Sequence, residues 1–173
     1  MTPLDIPVYG YVTLGGVTVG LSLLGWDVAQ WWAGHKKHFT LKALRQLAPT
    51  LACLSYGALL ILCAGGIIGG LADWSLWGTN QIGDVGLIWG VGGTSPGVTR
   101  SSYVGLTPGG HSVVVIATVI LAAVAAKRGW RWDYVRPIGA GISLGLAKSV
   151  AGAIGLIVAP TVSWAGDYVA GIA

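Results

Sequence analysis

Residues 111–137 read HSVVVIATVILAAVAAKRGWRWDYVRP. The stretch 111–126 holds no Lys, Arg, Asp or Glu and is β-branched, then alanine-rich. It is short against the roughly 20 residues a helix needs to cross about 30 Å of hydrocarbon, so flanking residues must extend it. Lys127, Arg128, Arg131 and Arg136 follow, with Trp130 and Trp132 among them. Cations and indoles at the end of an apolar run are the composition of a membrane–water interface.

The rest of the chain has the same character. Its 173 residues have a mean hydropathy of +0.72, and 9% are charged; soluble domains carry about 25%. Glutamate is absent, and the six acids are Asp5, Asp27, Asp73, Asp84, Asp133 and Asp167. A carboxylate cage or paired-carboxylate site has little to draw on. The net charge is +4, but the cations flank apolar runs, which suits membrane orientation rather than nucleic-acid contact. Cys53 and Cys63 fall in one expected helix about 15 Å apart, beyond disulfide reach. The first 34 residues contain no Lys or Arg, so the first apolar run lacks the basic start of a signal peptide and is expected to be retained.

Four spans are expected, at 8–33, 48–72, 111–126 and 138–159. The first ends on Trp26, Trp31 and Trp32. Basic connectors lie at 34–47, which suits either a surface-lying helix or a plain linker, and at 127–137. The fourth apolar region, 138–173, is too long for one crossing, and Pro160 is expected to divide it into a span and a tail carrying Trp164, Asp167 and Tyr168. Between spans two and three, residues 73–110 hold ten glycines, two prolines and one cation, Arg100. This reads as a long outer loop, partly re-entrant or surface-lying, with Trp74, Trp77 and Trp89 at headgroup depth and offering a contact surface. The expected class is an all-α polytopic transmembrane bundle forming a single membrane domain.

Eight of the ten cations fall in the two connectors, which places those connectors in the cytoplasm and both termini outside. Each half reads span, basic aromatic connector, span. Any four spans obeying the charge rule look the same, so internal duplication is not the preferred reading.

Small residues four apart supply packing faces: Gly16 with Gly20, Gly65 with Gly69, Gly66 with Gly70, and Gly141 with Gly145. Lys148 falls near the centre of the fourth span and Asp27 near the inner end of the first. An intramembrane pair of this kind reads first as a structural salt bridge and second as part of an ion path. His35 and His38 lack further nearby ligands, and no P-loop or nucleophile elbow is present. No catalytic, cofactor or metal site is expected. The expected role is non-enzymatic: a structural or scaffolding subunit among copies of itself or other membrane subunits, in contact with the bilayer. The alternative is a pore or translocation-channel component with Lys148 and Asp27 near a polar path.

Overall fold

The computed structural model describes residues 11–34, 41–63, 66–98, 106–129, 132–147 and 150–171, without the side chains of 41–46, 128, 150–156 and 170. Among these residues the fold is all-α, with six α-helices: α1 (Leu14–Gly34), α2 (Leu41–Leu62), α3 (Gly66–Val85), α4 (Pro108–Arg128), α5 (Trp132–Leu144) and α6 (Val150–Ala170). A π-helical turn, Gly86–Gly90, extends α3. Two short strands, β1 (Val12–Thr13) and β2 (Gly97–Val98), pair antiparallel with Val12 opposite Val98.

One helix, Pro108–Lys127, is long and apolar enough by itself to cross a membrane, with a mean hydropathy of 2.1 and 17% of its length buried. Thr107 caps its start, accepting from the Gly110 N–H at 3.2 Å, and Pro108 opens the first turn. Gly129 ends it at φ +79°, a conformation that strains any residue with a Cβ. These caps lengthen the expected 111–126 run at both ends.

Two expectations about helix ends are corrected. The apolar run 48–72 is not one helix: α2 stops at Leu62, and the segments 47–62 and 66–90 are bent by 107° from one another. Gly66, at φ +72°, supplies the turn. Residues 73–90 of the expected outer loop are therefore helical, and only 91–98 and 106–107 of its described part are not. In the last region Pro160 lies within α6 rather than ending it. The Thr161 hydroxyl donates to the carbonyls of Ile157 (3.1 Å) and Val158 (2.9 Å) in the turn before it. The break falls earlier, after Leu144.

The two halves are built alike. Each has one long helix (α1, α4) followed by a broken pair (α2–α3, α5–α6). The breaks close in the same way, Cys63 N–H to Leu60 O at 3.2 Å and Ala147 N–H to Leu144 O at 3.1 Å. In each half the start of the long helix meets the end of the last one: Gly15 faces Gly83 and Asp84, and Gly109 faces Gly166 and Asp167. The halves join where α2 crosses α5. There Gly57 faces the Ile138 carbonyl and Gly141 faces the Leu54 carbonyl, a reciprocal contact that only a missing Cβ permits. The buried centre includes Leu76, Val114, Ser143 and Leu144.

Candidate functional site

Three arrangements concentrate the chemistry of the described residues. The first two are matching corners, which repeat a threonine and two glycines on the long helix against a polar residue and Gly-Asp on the last. In corner one the Thr13 N–H donates to Asn80 Oδ1 (3.3 Å), the Gly16 N–H to Thr13 Oγ1 (3.1 Å) and Asn80 Nδ2 to the Tyr11 carbonyl (3.0 Å). Ser95 Oγ accepts from the Gly15 N–H at 2.9 Å and donates to Asp84 Oδ1. In corner two the Thr107 N–H donates to Ser163 Oγ (3.4 Å), while Asp167 Oδ1 accepts from Thr107 Oγ1 (3.0 Å) and the Gly109 N–H (3.2 Å).

A carboxylate set on a helix N-terminus satisfies otherwise orphaned N–H groups and complements the helix dipole. Each corner thus clamps two helices together. Sequence reasoning placed Asp167 in an interfacial tail and Asp84 in a loop; both cap helix-packing corners instead. The signal was present as Thr13-x-Gly15-Gly16 with Asn80-x-x-Gly83-Asp84, repeated as Thr107-x-Gly109-Gly110 with Ser163-x-x-Gly166-Asp167.

The third arrangement is an ion pair. Asp27 of α1 lies 3.7 Å from Arg136 of α5, and the two are 14% and 30% exposed respectively. Asp27 Oδ2 is buried and has no hydrogen-bond partner among the described residues. The partner expected for Asp27, Lys148, lies outside the described residues, as do Gly65 and Arg100. Arg136 was assigned to the basic interfacial connector 127–137, but α5 begins at Trp132 and carries it alongside α1.

The remaining packing glycines divide. Gly16 sits against Asn80, Gly20 against Ser143 and Leu144, Gly69 against the Cys63 carbonyl, Gly141 against α2, and Gly145 against Ala58 and Ile61. Gly66 and Gly70 have nothing within 4 Å of a would-be Cβ. Trp74, Trp77 and Trp89 are exposed, on α3 and its π-turn rather than on a loop; Trp74 and Trp77 pack edge to face at 5.8 Å.

The halves also differ. Helix α1 is in extensive contact with α5, whereas its counterpart α4 barely touches α2. A cavity of about 450 Å³ opens between α2, α4 and α5. It is lined by Pro49, Cys53, Tyr56 and Leu60 of α2, Thr118, Leu121, Ala122 and Ala125 of α4, and Tyr134, Val135 and Ile138 of α5. Its few polar atoms include the Tyr56 and Thr118 hydroxyls, which bond each other at 2.7 Å.

No family model, curated protein or solved structure matches the chain. Its chemistry is therefore argued from its own residues. Among the described residues no group of three or more His, Cys, Asp or Glu could hold a metal ion. The corner carboxylates are occupied by backbone N–H or hydroxyl donors. What the geometry of the described residues offers is helix clamps, the Asp27–Arg136 ion pair and apolar cavities, this one and another of about 720 Å³ between α1 and α3 beside Arg136.

Proposed function

We propose that the chain is a non-enzymatic, multi-pass membrane protein that serves as a structural or scaffolding subunit, in a homo-oligomer or a larger membrane assembly. The observation that carries this is the sidedness of α3. One stripe, Gly69, Ala72, Leu76, Asn80 and Gly83, is buried. The opposite stripe is apolar and open: Ile67 is 84% exposed, Leu71 67%, Trp74 65% and Ile82 69%. A helix in water turns its apolar stripe inward and its charges outward, so this face fits lipid or neighbouring helices. The apolar outer face of α4, with Ile116, Val119 and Ile120 exposed, supports the same reading.

In this reading α1 and α4 descend through the bilayer and α3 and α6 ascend, with α2 turned by 107° from α3. The basic connectors then lie in the cytoplasm, and both termini and both corners outside. Antiparallel contacts of α1 with α3 and of α4 with α6 fit this order. Gentle detergent extraction should release a particle much larger than the 17.7 kDa chain; a stable monomer by mass measurement would sink the scaffolding role.

One observation favours the pore reading as a second possibility: the buried Asp27 Oδ2, which has no hydrogen-bond partner among the described residues, because intramembrane ionisable groups often face water or a path. Liposomes containing the oligomer should then pass ions, and Asp27→Leu and Lys148→Leu should each alter the leak. Tight liposomes holding folded oligomer would refute this second reading.

A further inference from the structure

We propose that the end of the bundle where α1 and α4 finish and α2 and α5 begin is a binding surface for anionic phospholipid headgroups. The proposal rests on the membrane placement argued above, and it assigns a lipid class that the scaffolding role does not require.

Contacts along the helices fix which ends meet. Helices α2 and α5 run the same way, because Gly141 sits against Leu54 and Ala58 while Gly145, further along, sits against Ala58 and Ile61. Helix α1 runs against α5: Gly20 meets Ser143 and Leu144, Leu23 meets Gly139, and Asp27 meets Arg136. The end of α1 therefore lies beside the start of α5. The cavity between α2, α4 and α5 includes Pro49, Ala125 and Tyr134 in its wall, so the end of α4 and the starts of α2 and α5 surround one space. Helix ends from opposite halves of the chain are gathered there.

Positive charge is what those ends share. Lys42 and Arg45 lie in the first turns of α2, one turn or two before Pro49, and Lys127 and Arg128 close α4 just after Ala125. Lys36, Lys37 and Arg131 lie outside the described residues. Asp133 is the one acid in the two connectors, and Asp27 is engaged by Arg136; the corner carboxylates, Asp84 and Asp167, stand at the other ends of α1 and α4. Neighbouring helix axes are about 8–10 Å apart, close to the screening length of about 8 Å at physiological salt, so cations on adjoining ends act together on one leaflet. Membrane orientation needs a bias of cations along the chain, but it does not need the two sets brought together. About four to eight cations directly beside membrane helices are the composition that recognises anionic lipid. Trp26 and Trp132, both exposed, border this end as interfacial indoles do, which favours a lipid surface over nucleic acid.

The test titrates the full chain in detergent with equal amounts of dioleoyl phosphatidylglycerol and dioleoyl phosphatidylcholine and reads bound lipid by native mass spectrometry. Wild type is expected to retain phosphatidylglycerol about tenfold over phosphatidylcholine. One cation near an anionic surface is worth about fivefold in affinity, so Lys42→Gln with Arg45→Gln, and separately Lys127→Gln with Arg128→Gln, should each bring that preference below about threefold. Arg100→Gln, in neither connector, keeps it. Because lipid is added in detergent, orientation in a bilayer does not enter the readout. A second arm follows quenching of wild-type tryptophan fluorescence by the same two lipids carrying a doxyl spin label. Raising NaCl from about 0.05 to about 0.5 M should cut the excess quenching by phosphatidylglycerol at least threefold. Equal retention of the two lipids by wild type, an unchanged preference in either double variant, salt-independent quenching, or tighter retention of a short oligodeoxynucleotide than of phosphatidylglycerol overturns the assignment. Should a double variant fail to fold, the salt titration decides alone. Membrane sedimentation is scored separately, so a chain that pellets with membranes yet shows no headgroup preference refutes this surface and not the membrane placement.

Discussion

Replacing Gly141 by alanine tests the crossing that joins the two halves. A Cβ there falls closer than 3.0 Å to the Leu54 carbonyl, against 3.4 Å or more for ordinary contact. The α2–α5 crossing must open by on the order of 0.5–1 Å, which forfeits a quarter to a half of the dispersion energy at each facing contact. For a crossing comparable to one buried leucine, with about 40 contacts of about 0.1–0.15 kcal/mol, the loss is about 1–3 kcal/mol, in the range seen for overpacked cores. A helical Gly→Ala change also gains up to about 1 kcal/mol of propensity, which must be subtracted. Gly70→Ala provides that control, because it is helical and has nothing within 4 Å. Unfolding of both variants in mixed micelles, followed by far-UV circular dichroism against SDS mole fraction, should separate them by about 1–3 kcal/mol, with Gly141→Ala the weaker. Gly57→Ala should behave like Gly141→Ala. The double variant should cost less than the sum, since one opening relieves both clashes. If Gly141→Ala is as stable as Gly70→Ala, the close crossing and the reciprocal packing of the halves are refuted.

Three further outcomes follow from named contacts. Asp167→Ala removes the acceptor of Thr107 Oγ1 and the Gly109 N–H and should cost about 1.5–3 kcal/mol in the same unfolding assay; an unchanged midpoint would deny the corner its clamping role. Arg136→Leu leaves the Asp27 carboxylate in its half-buried place without its cation and should destabilise by up to about 3 kcal/mol, whereas Asp27→Leu with Arg136→Leu should recover most of that loss. Equal stability of the single and double variants would contradict the pairing. Tyr56→Phe removes the 2.7 Å bond to Thr118, with an expected cost of about 0.6 kcal/mol and at most about 1.7; a larger loss would mean that Tyr56 holds α4 in place by more than this bond.

Much of the clamp architecture was written in the chain but at a range that helix-by-helix reading does not cover. Thr107 and Asp167 stand 60 residues apart, and Thr13 and Asn80 67. Glycine spacing on one helix reveals a face fitted for close approach, yet it does not name the neighbour. Gly16 and Gly20, one such face, meet different helices, α3 and α5. The outer loop was misjudged over 73–90 because its glycines were weighed as helix breakers. Gly83, for example, lies inside α3 at a contact where only a missing side chain lets α1 approach. Pro160 was misjudged because a proline inside a membrane-type helix need not end it.

Apolar content, scarce charge and the grouping of eight of ten cations in two connectors were enough to predict an all-α chain with a helix apolar enough to cross a membrane, because those features depend on transfer from water and not on which helices touch. Partner choice belonged to the tertiary structure. Asp27 meets Arg136 because α5 starts early enough to carry that arginine alongside α1, a boundary that local composition left open. The likeness of the halves emerges from contacts between their ends. So does their difference, α1 packed closely on α5 while α4 barely touches α2, since no single helix encodes how far it stands from another.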